Sequence, residues 1–351
     1  MRRGFIAWSK AELPEAVFGA RLRRLRDAMA AQGLDAFIAY TNNTRTAAVA
    51  WLTAFVPYWA EGILVVPRVE DPLLTMAFSN RIVGWGKGVS CVARFEGGGK
   101  PGQAAGKYLA ELGAKKVGVV DLDTLRAAVA QDLIDAAPAA ELSDASALFE
   151  GVRNPPDAAE IALTARAGAL AHTALSQATG GEATLGEAVA AVDHAARLMG
   201  AEEIYMAAAA DLDRDHRFLR PEGSITPGKR FALRATVAYK GSWVRMTRCF
   251  GDAPTALDDA HARFAAAIAA LPSLDALRGF ASWSLEGSRL AQPLDAIAAA
   301  AMASPRPIVP GSLLTAQAVV TVDGNKIAVA APVLVGAPGQ AASLLVAPNF
   351  A

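Results

Sequence analysis

Arg153-Asn154-Pro155-Pro156-Asp157 divides this 351-residue chain into two unlike halves. Two consecutive prolines cannot continue a helix, because each lacks an amide N–H and fixes its own φ. Asp157 is a suitable side-chain cap for a helix starting at Ala158. A length of 351 residues also exceeds what one hydrophobic core usually holds. The break therefore reads as a domain boundary, with a first domain at residues 1–152 and a second at residues 153–351.

Upstream of the break, helix and strand signals alternate. Phe18–Gln32 has apolar residues at helical spacing with arginines on the other face. Ala36–Tyr40, Gly62–Val66, Leu73–Phe78 and Lys116–Asp121 are short β-rich runs, and Gly106–Leu112 and Leu125–Ala136 read as helices. That order predicts an α/β layer domain. Downstream, the expected helices are Ala158–Gln177 and Leu185–Met199, and Thr184-x-x-Glu187 matches a capping box at the start of the second. Strands follow at Glu203–Ala210, Arg230–Tyr239 and Ser242–Phe250, then helices at Ala256–Ala270 and Leu294–Met302. The closing strands, Ser312–Val322 and Lys326–Val335, are joined by Val322-Asp323-Gly324-Asn325, and Asp-Gly is a strong hairpin signal. The second domain is expected to be α+β, with helices on one face of an antiparallel sheet.

Composition excludes several function classes. The chain is 53% hydrophobic and 19% charged, which argues against disorder. Lys+Arg and Asp+Glu both number 34, so no basic surplus points to nucleic acid or an anionic membrane. Cys91 and Cys249 are too few and too far apart for a disulfide framework or a zinc site, and read as reduced thiols. The N-terminus has no apolar signal core, and no apolar run approaches the ~20 residues of a membrane span. The expected location is cytoplasmic.

Several landmarks, taken in order, resemble the creatinase/prolidase/aminopeptidase P family. They are Arg153-x-x-Pro-x-Asp-x-x-Glu160, Thr184-x-Gly186-Glu187 through Gly200-Ala201, His216 twelve residues before Gly228, Tyr239-Lys-Gly241 with Thr247-Arg248, Pro310-Gly311 with Thr315, and Val333-Leu334-Val335. The resemblance spans nearly the whole chain. It implies an α/β creatinase-like N-terminal domain followed by an α+β pita-bread C-terminal domain, and usually a homodimer.

The same resemblance locates the positions that hold two metal ions in the metal-binding relatives, and here they are changed. Seven residues before Gly241 stands Arg234, and three before Arg248 stands Arg245. Gln317 and Ala330 replace two glutamates, and the alignment through Gln292-Pro293 puts Trp283 at the metal histidine. A di-metal hydrolase needs anionic oxygens and an imidazole, whereas arginine stays cationic. The chain thus resembles a degenerate member of the family, with no cofactor expected.

Arg234 and Arg245 inherit pocket-facing positions and suit a carboxylate or phosphate, or else pair with nearby acids and hold the fold. Arg248, three residues from Arg245, would face the other way on a regular strand. Gln317 and Trp283 are further pocket candidates. His216 is the candidate acid/base if a small anionic amide is hydrolysed at its C–N bond. In the first domain, Tyr40-Thr-Asn42-Asn43-Thr44-Arg45 corresponds to a loop that often reaches the partner's active site in relatives. Asn43 and Arg45 are therefore either ligand contacts across a dimer or ordinary turn residues. Trp51, Phe55, Tyr58 and Trp59 read as core or dimer interface, with a pocket wall as the second reading. Gly97-Gly98-Gly99-Lys100 lacks phosphate-loop spacing and reads as a flexible loop. The two functions left open are a metal-independent C–N hydrolase and an inactive ligand-binding protein or partner subunit of an active paralogue.

Overall fold

A computed structural model describes residues 8–57, 59–287 and 308–350. Tyr58, the Gln292-Pro293 landmark and the helix expected at Leu294–Met302 lie outside them. The chain forms two compact units, and the division falls between Pro155 and Pro156.

The first unit is built on a six-stranded sheet of order β4-β3-β2-β1-β5-β6. Its strands are β1 (Ala36–Thr41), β2 (Gly62–Pro67), β3 (Leu73–Met76), β4 (Arg94–Gly97), β5 (Lys116–Val119) and β6 (Glu141–Asp144). β1 pairs antiparallel with β2 and parallel with β5. Both faces of β1 are covered, which explains why its apolar run is continuous and not alternating. Phe37 and Ala39 join one core with Leu25 and Met29 of α1 (Glu15–Ala31). Ala36 and Ile38 join another with Ala105 and Leu109 of α4 (Pro101–Glu111) and Val129 and Leu133 of α5 (Ala127–Ala136). Three short helices escaped the sequence reading: α2 (Ala47–Thr53), α3 (Val83–Gly88) and α6 (Ser146–Arg153).

α1 corrects one expectation. Its buried stripe is Phe18, Arg21, Leu25 and Met29, so one arginine lies on the apolar side. Arg21 is tolerated there because its Nη1 donates to the Trp51 carbonyl at 2.7 Å and its guanidinium lies 4.8 Å from the Trp51 ring.

The second unit carries helices α7 (Ala158–Leu175), α8 (Leu185–Leu198) and α9 (Pro254–Ala269). The Asp157 side chain accepts from the Glu160 amide at 2.8 Å, and Thr184 with Glu187 forms the capping box. One antiparallel sheet has the order β7-β8-β9: β7 (Glu203–Ala209), β8 (Phe231–Tyr239) and β9 (Ser242–Phe250). The other has the order β10-β11-β12-β13: β10 (Ser282–Gly287), β11 (Leu313–Val322), β12 (Asn325–Leu334) and β13 (Ser343–Leu344). Both hairpin turns need two left-handed residues. Lys240 (φ 49°) and Gly241 (φ 80°) supply them between β8 and β9, and Asp323 (φ 49°) and Gly324 (φ 79°) between β11 and β12.

Strand parity decides what faces where in this unit. Leu233, Ala235 and Val237 of β8 and Val244 and Met246 of β9 enter the core, where Leu170, Ala171 and Ala174 of α7 also lie. α7 packs on β8 and β9, and α9 packs on β11 and β12. The alternate residues of β8, Arg234 and Thr236, therefore project from the face away from the helices. β9 also lies against β12, where the Cys249 thiol bonds both the amide and the carbonyl of Ala328.

Candidate functional site

The β8–β9 register sets Arg234 opposite Thr247 and Thr236 opposite Arg245. All four residues consequently share the face turned from the helices. On β10 and β11, Ser284 stands opposite Gln317, and Glu286 opposite Thr315. The two strand groups meet through a chain of side-chain bonds. Arg234 Nη1 donates to Gln317 Oε1 at 3.0 Å, and Gln317 Nε2 donates to Glu286 Oε1 at 2.8 Å. The other Glu286 oxygen, Oε2, forms an ion pair with Arg245 Nη1. Arg245 Nε completes the chain by donating to Thr236 Oγ1 at 3.0 Å.

Arg245 and Glu286 are both buried, and the ion pair between them offsets the cost of removing two charges from water. Burial alone would favour the uncharged form of each. It lowers the Arg245 pKa against the pull of Glu286, and it raises that of Glu286 against the pull of Arg245 and Arg234.

Arg234 is treated differently. Among the described residues its single hydrogen-bond partner is the neutral amide of Gln317. Its Nε is buried with no partner, and its guanidinium lies 4.7 Å from the Phe218 ring centroid. Burial, and then the like charge of Arg245, push its pKa down to about 10, still cationic at neutral pH. Two guanidiniums thus share one carboxylate, and one positive charge is left without a counter-ion among these residues.

The remaining sequence-derived candidates fall elsewhere. Arg248 pairs with Leu233 and so faces the helices. It donates to the carbonyls of Leu175 (3.1 Å), the last residue of α7, and Ala178 (2.7 Å), just beyond it. Trp283 pairs with Ala318 on the opposite face of β10 from Ser284 and Glu286, and packs against the apolar core. His216 is half-buried, with Nδ1 3.3 Å from Lys326 Nζ. Lys326 pairs with Thr321, four positions along β11 from Gln317. Among the described residues no hydrogen bond joins His216 to the Arg234 network, although Phe218, two residues on, packs against the Arg234 guanidinium.

In the first unit, the Asn42 side chain accepts from the amides of Thr44 (2.9 Å) and Arg45 (2.8 Å), an Asx turn that shapes the loop. Asn43 is exposed on this turn. Arg45 Nη1 donates to Thr124 Oγ1. Nearby, Glu61 accepts from the Tyr40 hydroxyl and from Arg126, both at 2.6 Å. Trp51 is buried against Phe149, whereas Trp59 is 47% exposed and stacks on Trp85 at 5.8 Å. Lys100, in the glycine-rich loop, pairs with Asp132 at 3.1 Å.

Glu286 is the residue that sequence reasoning missed, together with the strand β10 that carries it. The signal was present as Ser282-x-Ser284-x-Glu286, polar at every second position, but the run is short and starts beside no strong turn marker.

Residues 21–154 match the creatinase/prolidase N-terminal domain family. Comparison with curated proteins finds no match. Among solved structures, the chain is similar to an Xaa-Pro dipeptidase from Bacillus anthracis, with a TM-score of 0.69 and 16% identity over 95% of this chain and 98% of that one. An X-Pro aminopeptidase from Thermotoga maritima matches with a TM-score of 0.70 and 15% identity, covering 93% and 98% of the two chains. A prolidase from Pyrococcus horikoshii matches at 0.68 and 13% identity, covering 95% and 99%. At such identities the likeness carries the fold alone. Residues 21–154 thus match the creatinase/prolidase N-terminal domain, and the chain has the fold of these prolidase and aminopeptidase structures, an N-terminal α/β domain followed by a pita-bread-type α+β domain.

Proposed function

We propose that this is a metal-independent pita-bread protein whose second domain binds a small anionic molecule at Arg234. The observation that supports this most strongly is the charge imbalance. Among the described residues, Arg245 is neutralised by Glu286, while Arg234 is half-buried with its Nε enclosed, is positively charged and has one neutral partner. A buried charge without a counter-ion is costly, and a bound carboxylate or phosphate removes that cost through charge-assisted hydrogen bonds.

The donor set does not fit the divalent metals that the family resemblance implies. At the corresponding positions stand two guanidiniums, a neutral amide and Ala330, and the nearby carboxylate of Glu286 is already paired with Arg245. Among the described residues, no group of three or more His, Cys, Asp or Glu is placed to hold a metal ion. Hard divalent cations prefer several anionic oxygens, and two nearby positive charges oppose them.

The second domain is accordingly read as a binding module, acting in a homodimer or as partner subunit of an active paralogue. A catalytic version would use His216 as acid/base on the C–N bond of an anionic amide. Among the described residues the His216 ring nitrogen meets Lys326, and no hydrogen bond links His216 to Arg234. No helix among the described residues is long and apolar enough to cross a membrane.

Calorimetry with small carboxylates and phosphate, in chelator and in added Zn2+ or Mn2+, tests the reading. The expected result is binding that ignores metal and weakens about tenfold or more in Arg234→Met, the loss of one charge-assisted contact. Binding or peptide turnover that appears only with metal would overturn it. Amide hydrolysis abolished by His216→Ala would replace the binding module with the catalytic version. A native complex with an intact, metal-loaded relative would move the active site to that subunit.

A further inference from the structure

The accessible residues around Arg234 define what kind of anion the site takes, an inference that rests on the binding reading above. Three strands and one loop contribute to this face. The β7–β8 register sets Ala207 opposite Arg234 and Tyr205 opposite Thr236. Tyr205 is 48% exposed, and its ring lies 5.8 Å from that of Trp243, itself buried. Phe218, half-buried, covers one side of the Arg234 guanidinium. Gln317 and Ser284, also half-buried, border the other side. The second guanidinium is not available to a ligand, because Arg245 is buried and paired with buried Glu286.

Among the described residues, the partly exposed set is therefore one cation, two neutral hydrogen-bonding side chains, and the apolar group Ala207, Phe218 and Tyr205. One available charge matches one negative charge. A dianion such as succinate or phosphate would bring a second charge to surroundings that offer only neutral groups, and stripping that charge of water would go uncompensated. The apolar side chains flanking Arg234 favour an apolar body attached to the charged group, with aromatic bodies gaining ring contacts at Phe218 and Tyr205.

We propose that the Arg234 site selects a monocarboxylate with an apolar, preferably aromatic, body, the carboxylate on Arg234 and the body across Ala207, Phe218 and Tyr205.

The test is a calorimetric series on the wild-type full chain: 3-phenylpropionate, its neutral amide, acetate, succinate and inorganic phosphate. 3-Phenylpropionate is expected to bind most tightly, with the amide and acetate each weaker by about tenfold or more, for loss of the charge and of the apolar contact respectively. Phe218→Ala should weaken 3-phenylpropionate several-fold more than it weakens acetate. Succinate or phosphate binding more tightly than 3-phenylpropionate would overturn the selectivity and leave anion binding standing. Equal binding of the amide and the acid would overturn it as well. Failure of every anion in the series to bind would overturn both this inference and the function it rests on. The wild-type series does not depend on any variant folding.

Discussion

On one face of the β8–β9 pair, Arg248 meets backbone carbonyls at the end of α7; on the other, Arg234 and Arg245 meet across one carboxylate. The three residues share a strand pair and a side-chain type, and only parity separates them. Arg248 is lodged where a helix C-terminus carries partial negative charge, with Phe250 and Phe350 rings 4.9 and 5.4 Å away. Its charge is met by the fold itself. Arg245 is met by an ion pair, and Arg234 by a neutral amide. The difference teaches that the same residue can be a strut on one side of a sheet and a binding group on the other, and that the surplus of charge, more than the presence of arginine, marks the binding side.

The largest expected effect comes from removing the shared carboxylate. Glu286→Ala leaves Arg245 buried and unpaired and adds to the excess at Arg234, so stability should fall by about 3–5 kcal/mol in denaturant titrations. The double variant Arg245→Met with Glu286→Leu should recover much of that loss, since it removes both charges together. If the two changes were simply additive, the ion pair would not be holding the two strand groups as described. Arg248→Met should cost about 1–3 kcal/mol through the stranded carbonyls of Leu175 and Ala178, with no change in ligand affinity. A shift in affinity there would erase the contrast between the faces.

Arg234→Met separates the faces in the opposite sense: binding is lost while stability at pH 7 rises by about 1 kcal/mol, because a half-buried charge with no counter-ion among the described residues is gone. The pH dependence has a definite sign. The folded-state pKa of about 10 lies well below the ordinary arginine value, so the unfolded chain holds this proton more tightly. Wild-type stability therefore gains with rising pH across that window, and the advantage of Arg234→Met should shrink above about pH 10. An advantage that is flat through pH 11 would place the counter-ion within the protein.

Much of this architecture was legible in the sequence because the signals were local. The Asp157 cap, the Thr184–Glu187 box and the Asp323-Gly324 turn each depend on a few adjacent residues, and each forms as read. Arg234 and Gln317 were singled out by family spacing, and they are bonded to each other. What could not be read was long-range pairing. Glu286 lies 41 positions from Arg245, and nothing local on β10 says which strand its carboxylate will meet. The parity of Arg248 could be anticipated from its three-residue offset, whereas the carbonyls that receive it belong to a helix end about seventy residues earlier. Short helices such as α2 and α6 were missed because tertiary packing, more than their own propensity, holds them.

The smallest effect expected is at Cys249, and it sharpens the comparison by marking where the Arg234 face closes. Cys249 shares parity with Arg245 and Thr247, yet its thiol is buried against β12, accepting from the Ala328 amide at 3.3 Å and donating to the Ala328 carbonyl at 3.2 Å. Burial pushes its pKa up to about 12, so almost no thiolate exists at neutral pH to react. Cys91 is likewise pushed up to about 12 by burial. In a Cys91→Ala background, iodoacetamide should leave the native protein unmodified and label Cys249 only on unfolding. Cys249→Ala should cost about 1 kcal/mol and leave ligand affinity as it was. Rapid labelling of the native chain would mean that the seam between β9 and β12 opens, and that the face carrying Arg234 runs on past Thr247 as an accessible surface.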